Sequence, residues 1–167
     1  MGRGGLILLT YLMNKNEEEK VLSRHSERSW HKREMELTNW LEATKPRRRA
    51  KQTVLLGNME VDTEIFLTLV SLKKLHIHTE FSCAGVSPLD EPEDHSLYAY
   101  ITLLESEKSD NFVQFAMRRM RHRLLVTFEP SRHRYDLSSF FIGHNRSFCL
   151  LLQHCAEAYT LLKQERT

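Results

Sequence analysis

Apolar side chains recur along this chain at two spacings, three to four residues in some stretches and two in others, and each change of period marks an element. Trp30, Leu37, Trp40 and Leu41 give a helical stripe from Ser29 to Ala43, which Thr44-Lys-Pro46 ends because proline disfavours helical backbone in the residue before it. Thr53-Val-Leu-Leu56 followed by Gly57-Asn58 reads as a strand entering a turn. Asp62 then stands where a helix cap is needed, and Ile65, Phe66, Leu69, Val70 and Leu72 predict a helix from Thr63 to Lys74. Two strands follow, Leu75 to Phe81 and Ser96 to Leu104, separated by an acidic loop broken by two prolines. Phe112, Val113, Ala116, Met117 and Met120 predict a helix capped by Ser109 or Asp110, and Leu124, Val126 and Phe128 alternate as a strand stopped at Glu129-Pro130. Arg132 to Ile142 reads as a further, outer strand. Phe148, Leu151, Leu152, Cys155, Tyr159 and Leu162 make the strongest amphipathic helix, expected to cover one sheet face.

From Val54 to Phe128 the order is strand, helix, strand, strand, helix, strand, which predicts an α+β, ferredoxin-like βαββαβ sheet with its helices on one face. An N-terminal helix and a C-terminal strand and long helix are added to it. Residues 1–28 read as a polar segment, expected to be mobile, residues 29–52 as a helix and basic linker, and residues 53–167 as a single α+β domain.

Composition changes this picture little. A chain of 167 residues, 41% hydrophobic and 28% charged with a formal net charge of +2, suits one core. The distribution of charge matters more, because Lys45 to Lys51 places five basic side chains in seven positions, enough to neutralise phosphates or simply to solvate a hinge. Cys83, Cys149 and Cys155 form an odd set that argues against a secreted disulfide framework. Gly5 to Met13 is too short to span a bilayer and lacks a small-residue cleavage site. A cytoplasmic protein without membrane contact is the expectation.

Two likenesses to known families rest on short motifs. Val54-Leu-Leu-Gly-Asn58 and Tyr98-Ala-Tyr-Ile-Thr-Leu103 resemble the first- and third-strand signatures of the RNA recognition motif over residues 54–128, with Leu55 at the usual aromatic position and Ser96-Leu97 at the usual basic-glycine pair. The resemblance implies unpaired bases stacking on Tyr98 and Tyr100 from an open sheet face. Around residues 61–85, Val61-Asp62 and Thr79-Glu-Phe-Ser-Cys-Ala-Gly85 resemble the tRNA methyltransferase family of the wybutosine pathway, with Phe81 in place of a serine and Val86 in place of an arginine. That likeness implies an RNA-modifying enzyme using S-adenosylmethionine near Asp62, Cys83 and His95. From the residues alone no cofactor is identified.

The Ser82-Cys83-Ala84-Gly85 turn is also legible without either family. Small residues ending a strand expose backbone N–H groups, and Gly85 allows positive φ, so the turn could cradle an anion, with Arg118, Arg119, Arg132, Arg134 and Arg146 supplying charge; the plainer alternative is an ordinary tight turn with a buried Cys83. His76 and His78, at strand spacing, are the weak metal candidates, with Cys83 or His95 completing a set, and no CxxC or HExxH accompanies them. The leading expectation is a protein that binds single-stranded RNA or a nucleotide. An RNA-modifying enzyme at the turn, and an interaction module using a Trp30/Trp40 face, are the alternatives, and the oligomeric state is open.

Overall fold

The structure, a computed structural model, describes residues 19–44, 50–87 and 96–167. In chain order these form β1 (Lys20–Val21), α1 (Glu27–Glu42), β2 (Thr53–Leu56), β3 (Met59–Asp62), α2 (Thr63–Lys74), β4 (Thr79–Cys83), β5 (Tyr100–Leu104), α3 (Glu107–Met120), β6 (Leu124–Glu129), β7 (Arg134–Ser139) and α4 (Asn145–Gln164). Five strands make one antiparallel sheet in the order β1-β6-β7-β5-β4, and β2 and β3 pair as a separate hairpin. No helix among the described residues is long and apolar enough to cross a membrane.

Local chemistry sets the element ends. Ser26 caps α1 by accepting from Ser29 N, and at α3 Ser106 and Ser109 exchange side-chain and backbone bonds in a capping box, satisfying donors the first helical turn leaves free. Pro130 stops β6, and His133 takes positive φ (48°) in the tight return to β7. The core then follows from periodicity. Ile65, Leu69 and Leu72 from α2, Phe112, Val113 and Ala116 from α3, and Phe148, Leu152 and Cys155 from α4 pack on Ile101, Leu103, Val126 and Leu137. Burying each large apolar side chain contributes roughly 1.5–3 kcal/mol. Helices α2, α3 and α4 therefore share one face, leaving the alternate strand residues on the other.

The α+β class is borne out, while the strand order departs from the interleaved ferredoxin-like one. Gly57, at φ 63°, turns β2 straight back into β3, so Val54 to Leu56 pairs locally and never enters the main sheet. That sheet has no parallel pair. β7, expected as a further, outer strand, lies between β6 and β5, because Arg134, Asp136 and Ser138 need only one solvated face. The strand expected from Leu75 begins at Thr79, after His76 turns the chain at φ 57°. Likewise β5 begins at Tyr100, leaving Tyr98 in a bend.

Within the polar N-terminal segment, residues 19–28 are structured. Lys20 and Val21 pair with Phe128 and Thr127, and Leu22 N donates to Val126 O. His25 stacks on Phe140 at 4.0 Å and its Nε2 lies 3.1 Å from Leu124 O. α1 follows across the end of the sheet where β5 and β6 begin and β7 ends. Arg33 donates to Ser139 O and Phe140 O, and Glu36 accepts from Ile142 N and Gly143 N. Most of the basic linker, Lys45 to Arg49, lies outside the described residues, as do residues 1–18.

Candidate functional site

The sheet face away from α2, α3 and α4 carries a cleft of about 450 Å³ lined by Glu19, Phe81, Tyr100, Thr102, Glu129, Arg132, Arg134 and Asp136. Register explains the grouping: Tyr100, Thr102 and Leu104 of β5 stand opposite Ser138, Asp136 and Arg134 of β7, and Glu129 of β6 stands opposite Arg134. A register shift between Thr79 and Ser82 in β4 accompanies an outward Phe81, which is 53% exposed although simple strand alternation places it on the side of the buried Ile77. Arg134 lies 5.9 Å from the Phe81 ring centroid, donates to Glu129 at 2.9 Å and pairs with Glu80 at 3.2 Å. Partial burial opposes its charge, yet the bonds to Glu80 and Glu129 hold its pKa above the ordinary value. Thr102 donates to Asp136 at 2.5 Å. Tyr100 titrates above its ordinary value, chiefly through burial and then through the neighbouring Cys83 and Asp136.

At the edge of this face Cys83 stands opposite Tyr100 in the β4–β5 register. Around Cys83 the Ser82-Cys83-Ala84-Gly85 turn joins the β2–β3 hairpin through one carboxylate and one lysine. Asp62 occupies the N-cap position of α2 but makes no side-chain cap bond; its Oδ2 accepts from Ala84 N at 2.6 Å and pairs with Lys51 Nζ at 3.0 Å. Lys51, its side chain only 3% exposed, also donates to Gly85 O at 2.8 Å and lies 3.7 Å from Cys83 Sγ. Gly85 N points at the same sulfur from 3.4 Å. A buried ammonium is sustainable because its donors meet a carboxylate and a carbonyl.

The turn is not an open anion cradle. Its Ala84 and Gly85 N–H groups are engaged within the chain, and Gly85, at φ 75°, sits where any Cβ would strike the Asn145 side chain and Ala99 N. Asn145 closes the space by donating to Val86 O and Leu97 O and accepting from Ala99 N. The Ala84 and Gly85 N–H groups are therefore not free to hold S-adenosylmethionine at this turn, and Val86, in place of the family's arginine, is buried.

The other expected site residues are dispersed. Tyr98 does not join Tyr100 on the open face; Arg33 covers its ring at 3.8 Å, and burial raises its pKa although Arg33 opposes this. Arg132 and Arg134 line the cleft. Arg118 borders a second, separate cleft with Arg24, Met117 and Arg121, Arg119 is exposed nearby on α3, and Arg146 pairs with Glu64 at 3.7 Å. His76 and His78 are exposed, the first in a turn, and belong to no group of convergent metal-ligating atoms among the described residues, where Glu19, Glu129 and Asp136 form the one such group. His95 lies outside the described residues. Trp30 packs edge-on against Phe140 at 5.0 Å, so the expected Trp30/Trp40 face is partly turned into the molecule.

Sequence reasoning missed Lys51, Phe81 and Asn145. Lys51 looked like the end of a basic linker, and nothing in its neighbours signals burial. Phe81 was visible as a departure from the methyltransferase motif, which is the one signal that could have drawn attention to it. No protein-family model, no curated protein and no solved structure matches this chain.

Proposed function

We propose that the open sheet face holds one unpaired nucleobase, presented by a free nucleotide or by a single residue of an RNA strand. The observation that carries this reading is the exposed Phe81 ring beside Tyr100 in a nucleotide-sized cleft, with Arg134 over Phe81. An aromatic face accepts any base, and such stacking contributes about 1–3 kcal/mol per base. Arg132 and Arg134 supply charge for one phosphate. Three carboxylates, Glu19, Glu129 and Asp136, face those two guanidiniums, which suits acceptance from base amino groups and repels a long run of phosphates. A single base is therefore a better fit than a tract of RNA.

The test is saturation-transfer NMR with the four nucleoside 5′-monophosphates, alongside anisotropy titration of a labelled single-stranded RNA, for wild type and the Phe81→Ala, Tyr100→Leu double variant. Wild type should transfer saturation to base protons, and the double variant should bind at least about tenfold more weakly with unchanged circular dichroism. The RNA affinity should fall only shallowly with salt, by a log–log slope of roughly −0.7 for each phosphate held. Absence of transfer at millimolar nucleotide, or equal binding by the double variant, would remove the proposal.

A second reading, an RNA-modifying enzyme at the corner, has one observation in its favour: Asp62 and Cys83, separated in sequence, converge on the buried Lys51 beside Tyr100. It requires RNA nucleosides whose mass changes after incubation with wild type and not with Cys83→Ser. Unchanged nucleosides in both would leave binding alone.

A further inference from the structure

We propose that Cys83 and Lys51 form an oxidative cross-link, a sulfur–nitrogen bond made when hydrogen peroxide oxidises the Cys83 thiol. The inference stands on the pair rather than on the cysteine. Lys51 Nζ lies 3.7 Å from Sγ and is held there by Asp62 at 3.0 Å and by the Gly85 carbonyl at 2.8 Å, with the lysine side chain 3% exposed. A lysine on the surface samples many rotamers, whereas this one has its nitrogen fixed one bond-forming displacement from the sulfur. Cys83 is half-buried at the edge of the cleft, so peroxide can reach it, while Cys149 and Cys155 are buried, with thiols pushed up to about 12 by desolvation. The Lys51 ammonium and the Gly85 N–H both point at Sγ, which fixes the sulfur facing the lysine nitrogen.

The chemistry balances with peroxide as the only oxidant. The thiol attacks one peroxide oxygen, the O–O bond breaks, and sulfenic acid and water result. Lys51 gives up its ammonium proton, with Asp62 as the nearest acceptor, and the freed amine attacks sulfur. The S–N bond forms as the S–O bond breaks, and the hydroxyl leaves as a second water. Sulfur is oxidised, peroxide is reduced, and thiol reductants reverse the step. Asp62 passes the proton on to solvent water, and because the product nitrogen is no longer cationic the carboxylate is left without its counter-charge beside Tyr100. Oxidation thereby makes the edge of the cleft more acidic.

The full chain, titrated with hydrogen peroxide and digested under non-reducing conditions, should yield a joined peptide pair containing residues 51 and 83. Its mass should be about 2 Da below the sum of the two, and dithiothreitol should separate it. Lys51→Arg keeps a cation beside Asp62 but resists capture at sulfur, so it should stop at a sulfenic acid trapped by dimedone on Cys83. The proposal fails if wild type yields no joined pair, if it accumulates dimedone-labelled Cys83 to the same extent as Lys51→Arg, or if Cys149 or Cys155 oxidises first.

Discussion

Gly85 concentrates the constraints on the corner in one residue. Its positive φ, the Ala99 N–H 2.5 Å from where a Cβ would sit, and the Asn145 side chain pressed on the same place leave no room for substitution. Asn145 is itself 2% exposed, with its amide bonded to three backbone groups, so displacing it would orphan buried donors and acceptors. Gly85→Ala should therefore destabilise the protein by about 2–4 kcal/mol, the sum of left-handed backbone strain and a disrupted buried amide. Gly57→Ala, where φ is also positive but nothing lies within 4 Å, isolates the strain alone and should cost about 1 kcal/mol. Urea unfolding of the two variants checks this, and equal losses would show that the Asn145 contact does not matter. The same corner marks how far the sequence could be read at single residues. Gly85 stood out by its type within a strand-ending motif, whereas Asn145, far along the chain, announced nothing.

Among the elements, α1 has the most distinctive attachment to the sheet, because polar groups rather than buried apolar side chains hold it. None of its residues is buried; Arg33 and Glu36 reach backbone groups, and the preceding His25 is sandwiched between Phe140 and Trp30. Burial holds the His25 pKa below its ordinary value; the bond to Leu124 O acts against this, while Arg33 and His122 reinforce it. A lowered folded-state pKa means that the unfolded chain binds the proton first, so this stabilising effect is complete above about pH 6.5 and is lost as pH falls through the folded value. Between pH 7.5 and 5.5 the wild type should lose stability from this group, by an amount reduced by solvent screening at a part-buried ring. His25→Phe should lose less over that interval in urea unfolding, and equal losses would exclude His25 as the sensor. His144, also lowered chiefly by burial, supplies part of what remains. Helices were the elements most legible in advance: the apolar stripe fixed α2 at Thr63–Lys74, and the stripes of α3 and α4 name most of their buried residues. Strands were less so. β3 buries only Val61, too little for a period to show, and β7 alternates polar residues toward a solvated face, which in sequence looks like an edge.

Across the whole molecule, the division between one apolar core and a polar strap predicts two unfolding events rather than one. The core runs continuously from Val61 to Tyr159 through α2, α3, α4 and the strands beneath them, so these elements should unfold together. α1 lies outside that cluster, and local opening is easiest where few apolar contacts must be broken. Both tryptophans of the chain, Trp30 and Trp40, lie in α1, so fluorescence reports the strap while far-ultraviolet circular dichroism is dominated by the three core helices. In urea the fluorescence midpoint should precede the dichroism midpoint by at least about half a molar unit, a separation readable against slopes of about 1–3 kcal/mol per molar. Leu137→Ala, at a fully buried position in β7, should lower the dichroism midpoint by the equivalent of about 2–5 kcal/mol and bring the two transitions together, because the core then becomes no more stable than its strap. Coincident midpoints in the wild type would instead make α1 part of the same cooperative unit. In that case the bonds from Arg33 and Glu36 to the sheet end would be as strong a link as the apolar packing on the other face.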